Sequence, residues 1–274
     1  MNAKVGTLSE ILHVIRIGAV LALATAGCES VLVTRDVVFS NPQLIFEPPE
    51  TLGNFGDLEF GMGFGSGPMF KAGSFSVGAG GTTEESWSSM HVDQIHARLG
   101  IGLTKKLDLQ ILQADGIADS SAPAPAGVKI ALIPGSNSSQ LQRGHKWALL
   151  IQNLSMYSNE STHNGSYSAS FEKKLAGAGI SSIYGYRYDK KRLLYTNIRY
   201  ENTTGYAEVK NTGNPDHIYR LGQWGASLAI GYEFRFSEKL FLRLESGIKH
   251  TAIPYPSIEK TTTAAGFHIG YHFN

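Results

Sequence analysis

The sequence predicts an all-β fold, a single antiparallel up-and-down transmembrane β-barrel of about ten strands. Three observations predict it. Long stretches alternate apolar and polar residues with a period of two, which gives each strand two different environments. Three pairs of such stretches double back through short charged turns. No apolar run after the N-terminus reaches the roughly 20 residues that a spanning helix needs. Composition agrees: 31 glycines and 12 tyrosines among 274 residues, with 17% charged residues, suit strands, turns and interfacial aromatics better than amphipathic helices.

Taken in order, residues 1–27 read as an export signal. Lys4 and Arg16 precede the apolar stretch from Ile17 to Ala26, and small residues lead through Gly27 to Cys28. Residues 28–67 carry Pro42, Pro48 and Pro49 and are expected as a periplasmic lead-in, although Leu58 to Gly65 alternates and could add a strand. The barrel is then expected over 68–274. Its first strand is placed at 69–80. The first hairpin follows, with Ile95, Ala97, Leu99, Ile101 and Leu103 on one face, the turn Thr104-Lys105-Lys106, and a return from Leu107 to Ile111. Strands at 127–134 and 145–157 are joined by a longer turn, Gly135 to Gly144. The second hairpin runs from Ile180 to Tyr188, turns at Asp189 to Lys191, and returns through Leu194, Thr196, Ile198 and Tyr200. The third has Trp224, Ala226, Leu228, Ile230, Tyr232, Phe234 and Phe236 on one face, turns at Ser237 to Lys239, and returns through Leu240, Leu242, Leu244 and Ile248. The last strand is 261–273. Loops richer in Ser, Thr, Asn, Gly and Pro are expected at 81–86, 115–125, 158–166, 204–216 and 252–260, all on one rim. This makes ten strands, an even number with both ends on the short-turn rim; a spanning 58–65 would make twelve.

The chemistry of the two faces decides the solvent. A soluble barrel turns its apolar face inward. Here the second face is glycine-rich and charged, which suits a narrow interior, while aromatics such as Trp87, Trp147, Tyr184, Tyr186, Tyr188, Phe234, Phe236, Tyr271 and Phe273 gather near strand ends as an interfacial girdle would. The candidate lumen charges are Arg199, Glu201, Glu233, Arg235, Arg243, Glu245 and Lys249. They either line a narrow passage or neutralise one another as a plug, and ten strands leave so little room that the plug is the favoured reading.

Two segments carry a resemblance. Phe267, Ile269, Tyr271 and Phe273 alternate with Gly266, His268, Gly270 and His272, and this resembles the closing strand of Gram-negative outer-membrane β-barrel proteins, with Asn274 as a departure of one residue. The resemblance implies outer-membrane location, contact with outer-membrane lipid, and recognition by the barrel-assembly machinery through those four residues. Thr25-Ala26-Gly27-Cys28 resembles a lipoprotein cleavage site, with Thr25 where the family has an aliphatic residue. That implies lipid attachment at Cys28; the alternative is an ordinary secretory signal that leaves an incidental thiol.

Other chemistry finds little support. A formal net charge of +1 gives no field to recruit nucleic acid. One cysteine excludes an internal disulfide and a thiolate cluster. None of the nine histidines is followed by serine two residues later, the spacing outer-membrane lipid hydrolases resemble; the nearest is His163 with Ser166. His91 and Asp93 are a weak echo of an omptin-like dyad. His268 and His272 lie about 13 Å apart along a strand, too far to share an ion, and His96 could join one of them only across the lumen. Gly61, Gly63 and Gly65 lack the Lys-Ser/Thr ending of a phosphate loop and read as strand glycines. The sequence therefore predicts a protein without enzyme activity or cofactor, with a structural or surface-interaction role. A narrow porin-like channel is the first alternative and an outer-membrane lipid hydrolase the second.

Overall fold

The computed structural model describes residues 33–39, 46–77, 87–114, 126–133, 141–164, 167–211, 217–253 and 258–273. They form eleven strands: β1 (Val33–Phe39), β2 (Leu58–Val77), β3 (Trp87–Thr104), β4 (Leu107–Ala114), β5 (Ala126–Ile133), β6 (Gly144–Asn164), β7 (Tyr167–Arg187), β8 (Arg192–Asn211), β9 (His217–Arg235), β10 (Leu240–Ile253) and β11 (Ile258–Phe273). Strands β2 to β11 pair antiparallel in sequence order, and the pairing of β11 with β2 closes them into a ten-stranded barrel. At the level of the seam closure leaves no open edge, which is the condition for strands to survive in hydrocarbon.

The seam runs from Phe273 opposite Leu58 to Ala265 opposite Ser66. Above it β2 continues alone on that side, and β1 takes the vacated edge, with Val33 opposite Val77 and Phe39 opposite Phe70. The alternating stretch at 58–65 is thus the lower half of the first strand and not an additional one, so the ring has ten members and not twelve. Two expected loops are also shorter than the sequence suggested. β6 continues to Asn164 and β8 to Asn211, because an antiparallel ladder keeps satisfying the backbone beyond the apolar band whatever the side chains are.

Parity holds along most of the strands and breaks at irregularities such as the one between Ala131 and Ile133. On β2, Leu58, Phe60, Met62 and Phe64 point outward and are exposed, while Glu59 and Gly61 are buried inside. On β9, Leu228 and Ile230 face out and Glu233 and Arg235 face in; on β10, Leu244 and Ile248 face out and Arg243, Glu245 and Lys249 face in. Hydrocarbon outside and charge inside is the inverse of a soluble barrel. Near the short-turn rim Trp147, Tyr184, Tyr188, Phe236, Tyr271 and Phe273 are exposed aromatics on the outer surface, and the Trp147 indole donates to Ser182 Oγ at 3.0 Å.

Candidate functional site in the closed lumen

Part of the stretch 28–67 expected as a periplasmic lead-in lies in the barrel itself: residues 58–67 belong to β2 and residues 46–52 enter the lumen. Phe46, Glu47, Glu50, Thr51 and Leu52 are all buried, and residues 46–52 lie inside the barrel. From Phe46 the chain runs to the short-turn mouth, reverses at Gly53 and Gly56 (φ 95° and 87°), and enters β2. Proline explains why this stretch is a strap and not a strand: Pro48 and Pro49 have no N–H to give a ladder, so side chains must hold the segment.

They hold it by charge. Glu47 receives Arg98 Nη2 and Lys129 Nζ, each at 2.5 Å. The two oxygens of Glu50 accept Arg187 Nε at 2.6 Å and Nη2 at 2.5 Å, a bidentate fork, and Lys146 stands 3.9 Å away. Lys129 also donates to the Glu50 carbonyl, and the Leu52 amide donates to both oxygens of Asp108 at 3.1 and 3.0 Å. Thr51 Oγ1 donates to the Lys105 carbonyl at 2.9 Å at the mouth. At the inner end Arg243 Nη1 donates to the Phe46 carbonyl at 3.3 Å. Phe46 has a φ of 48°, a left-handed conformation costing about 1–3 kcal/mol in a non-glycine residue. Its ring stacks on His96 with centroids 4.6 Å apart and planes 11° from parallel, and that fixed seat holds the backbone in place.

The wall around the strap forms a lower tier. Arg243 bridges Glu59 (Nη1 2.8 Å, Nη2 2.9 Å) and Glu233 (Nε 2.8 Å). Arg187 and Arg235 also reach Glu233, each at 2.8 Å, and Arg98 pairs with Glu59. Six wall cations (Arg98, Lys129, Lys146, Arg187, Arg235, Arg243) and three wall carboxylates (Glu59, Asp108, Glu233) join one connected network, all buried. The wall thus has three positive charges in excess, and the two strap glutamates reduce this to one. Nearer the long-loop rim an upper tier balances itself. Arg199 pairs with Glu201 at 3.1 Å and donates to Gln152 at 2.5 Å, Lys249 pairs with Glu201, and Tyr195 donates to Glu245 at 3.2 Å.

The seven lumen charges expected from sequence are therefore all inside, divided between the tiers: Glu233, Arg235 and Arg243 below, Arg199, Glu201, Glu245 and Lys249 above. Sequence reasoning missed Glu47 and Glu50, which obey no period, and it did not single out Glu59, Asp108, Lys129, Lys146 and Arg187. Inward parity was a signal for that second group: Lys129 lies between the apolar Val128 and Ile130, and Arg187 sits one position from the girdle tyrosines.

His96 and His268 do meet, because β3 and β11 both flank β2. Their ring nitrogens are 3.1 Å apart and the rings are stacked at 5.3 Å. They lie over Gly63 and Gly61 of the strand between them, where a Cβ would collide with the imidazoles, so these glycines are seats for neighbouring side chains. Tyr195 uses Gly231 in the same way. Among the described residues no group of three or more His, Cys, Asp or Glu is placed to hold a metal ion. His163 lies at the end of β6, and His91 and Asp93 on β3, with their side chains outside the described residues; Ser166, Cys28 and the whole segment 1–32 lie outside them too.

No protein-family model matches the chain, and no curated protein is significantly similar to it in sequence. Solved structures similar to it include the attachment invasion locus protein Ail of Yersinia pestis, at 7% identity and TM-score 0.31, over 80% of this chain and 99% of that one. The outer membrane protease OmpT of Escherichia coli is similar at 10% identity and TM-score 0.39, over 79% and 96%. The N-terminal β-barrel domain of Pseudomonas aeruginosa OprF is similar at 13% identity and TM-score 0.27, over 80% and 98%. These likenesses are too distant to carry a function. The strand pairing and the two faces themselves give the class: a closed ten-stranded antiparallel barrel with the inside-out polarity of Gram-negative outer-membrane barrels.

Proposed function

We propose that the protein is a non-enzymatic outer-membrane barrel, closed by its own N-terminal strap, with a structural or surface-interaction role. The occupied lumen carries this reading: residues 46–52 fill the short-turn half and are held there by buried ion pairs from β3, β5, β6 and β7. The outward apolar face supports the membrane location. Phe267, Ile269, Tyr271 and Phe273 all point outward on the closing strand, in keeping with recognition by the barrel-assembly machinery, and a lipid anchor at Cys28 would add a second attachment. Single-channel recording in planar bilayers tests the proposal. The folded full-length chain is expected to show no steady conductance, whereas a stable open level in the parent protein would favour the narrow channel instead. Lipid hydrolysis lost on replacing one serine or histidine would favour the hydrolase.

A further inference from the structure

We propose that the lower tier is an anion-binding site for small carboxylates, occupied in the closed barrel by the side chains of Glu47 and Glu50. Three observations carry it. The wall cations outnumber the wall carboxylates, so this tier depends on anions it does not itself provide, whereas the tier above it is balanced by its own residues. The geometry is that of carboxylate recognition: Arg187 forks onto Glu50, while Arg98 and Lys129 grip the two oxygens of Glu47 from neighbouring walls. Donor capacity also exceeds what the strap uses, because Arg98 Nε and Arg187 Nη1 are buried without a hydrogen-bond partner among the described residues. Unused guanidinium N–H groups in a buried cavity are costly, and an incoming oxyanion would satisfy them.

The site is hidden while the strap is seated, so the inference rests on the plugged-barrel reading but makes a different prediction. A barrel whose residues 46–52 are replaced by Gly and Ser keeps the wall and loses both carboxylates. That barrel, confirmed as folded by heat-modifiable gel migration, is expected to conduct and to prefer chloride over potassium at least about threefold, judged by reversal potential in a KCl gradient. Succinate added on the short-turn side is expected to block the current, and Lys129→Met, which lowers the wall's excess from three charges to two, is expected to reduce the preference. A folded Gly/Ser barrel that stays closed, prefers potassium or ignores succinate overturns the site. Should that variant fail to fold, the milder E47Q/E50Q chain decides: succinate should raise its thermal midpoint and leave the parent's unchanged, and equal behaviour of the two overturns the proposal. Conductance in the unaltered protein refutes the plug alone, independently of these outcomes.

Discussion

Replacing Arg243 by methionine tests whether the lower tier stabilises the barrel. The guanidinium is fully buried, makes three hydrogen bonds to the carboxylates of Glu59 and Glu233 and one to the Phe46 carbonyl, and sits with Cζ 4.0 Å from the centre of the Phe241 ring. Methionine keeps much of the contact with Phe241 and removes only the charge and the donors. Hydrogen bonds to charged groups contribute about 1.5–3 kcal/mol each, which sets a gross ceiling of about 4.5–9 kcal/mol for the three carboxylate bonds. The orphaned carboxylates are not left bare, because Glu59 keeps Arg98 and Glu233 keeps Arg187 and Arg235. The expected net loss is therefore about 3–5 kcal/mol, the usual cost of removing one partner from a buried pair. Urea unfolding of the barrel in lipid vesicles, followed by tryptophan fluorescence, should show the midpoint falling by about 2 M for a slope near 2 kcal/mol per M. Lys190→Met is the internal control: its partner Glu238 is 3.2 Å away, both side chains are 75% exposed, and the loss should be at most about 1 kcal/mol. A loss below about 1 kcal/mol for Arg243→Met would refute the reasoning, since the buried network would then be worth no more than a surface pair.

Three further outcomes are expected. Gly63→Val should lower the unfolding midpoint more than Gly65→Val, because a side chain at Gly63 meets the Phe267 carbonyl and the His96 ring whereas Gly65 faces open space; equal effects would argue against the imidazole seat. Ile198→Arg and Ile230→Arg, at the outward positions that are 59% and 61% exposed, should each cost about 2–4 kcal/mol in vesicles, and a neutral result would show that this face does not meet lipid. Asp189, in the turn between β7 and β8, has its carboxyl held below the usual value of 3.8 by the Arg192 side chain and by the Lys191 and Arg192 amides. A lowered native pKa gives stability that is present above the unfolded value and lost as pH falls through the native one. Asp189→Asn should therefore lower the thermal midpoint at pH 7, with the difference shrinking as the pH is taken below 3.8; a pH-independent difference would contradict this.

The ring was legible in the sequence because period two is a local signal: Trp224 to Phe236 and Leu240 to Ile248 state their own faces, and the short charged turns state their pairing. The lumen charges followed from parity alone. The strap was illegible for the opposite reason. Glu47-Pro48-Pro49-Glu50 has no period, and its meaning depends on Arg98, Lys129, Lys146 and Arg187, which lie 51 to 137 positions away and are brought together only by barrel closure. The meeting of His96 with His268 was hidden likewise, since it depends on β2 joining its sequence neighbour on one side and the final strand on the other.

The tight reversal at Gly53 and Gly56 has a consequence for how the lumen could ever be vacated. The strap is tethered to the first residue of β2 by only a few residues, so its glutamates compete for the wall cations as an intramolecular ligand, at an effective concentration of millimolar order or above. A dissolved carboxylate has to outbid that tether and to pull apart a bidentate fork at the same time. Mass action from solution is thus a poor key to this barrel. Tension from the N-terminal side is no better: it would be borne first by the ladder between β1 and β2, so the strap is sheltered from a pull as well as from what diffuses past it.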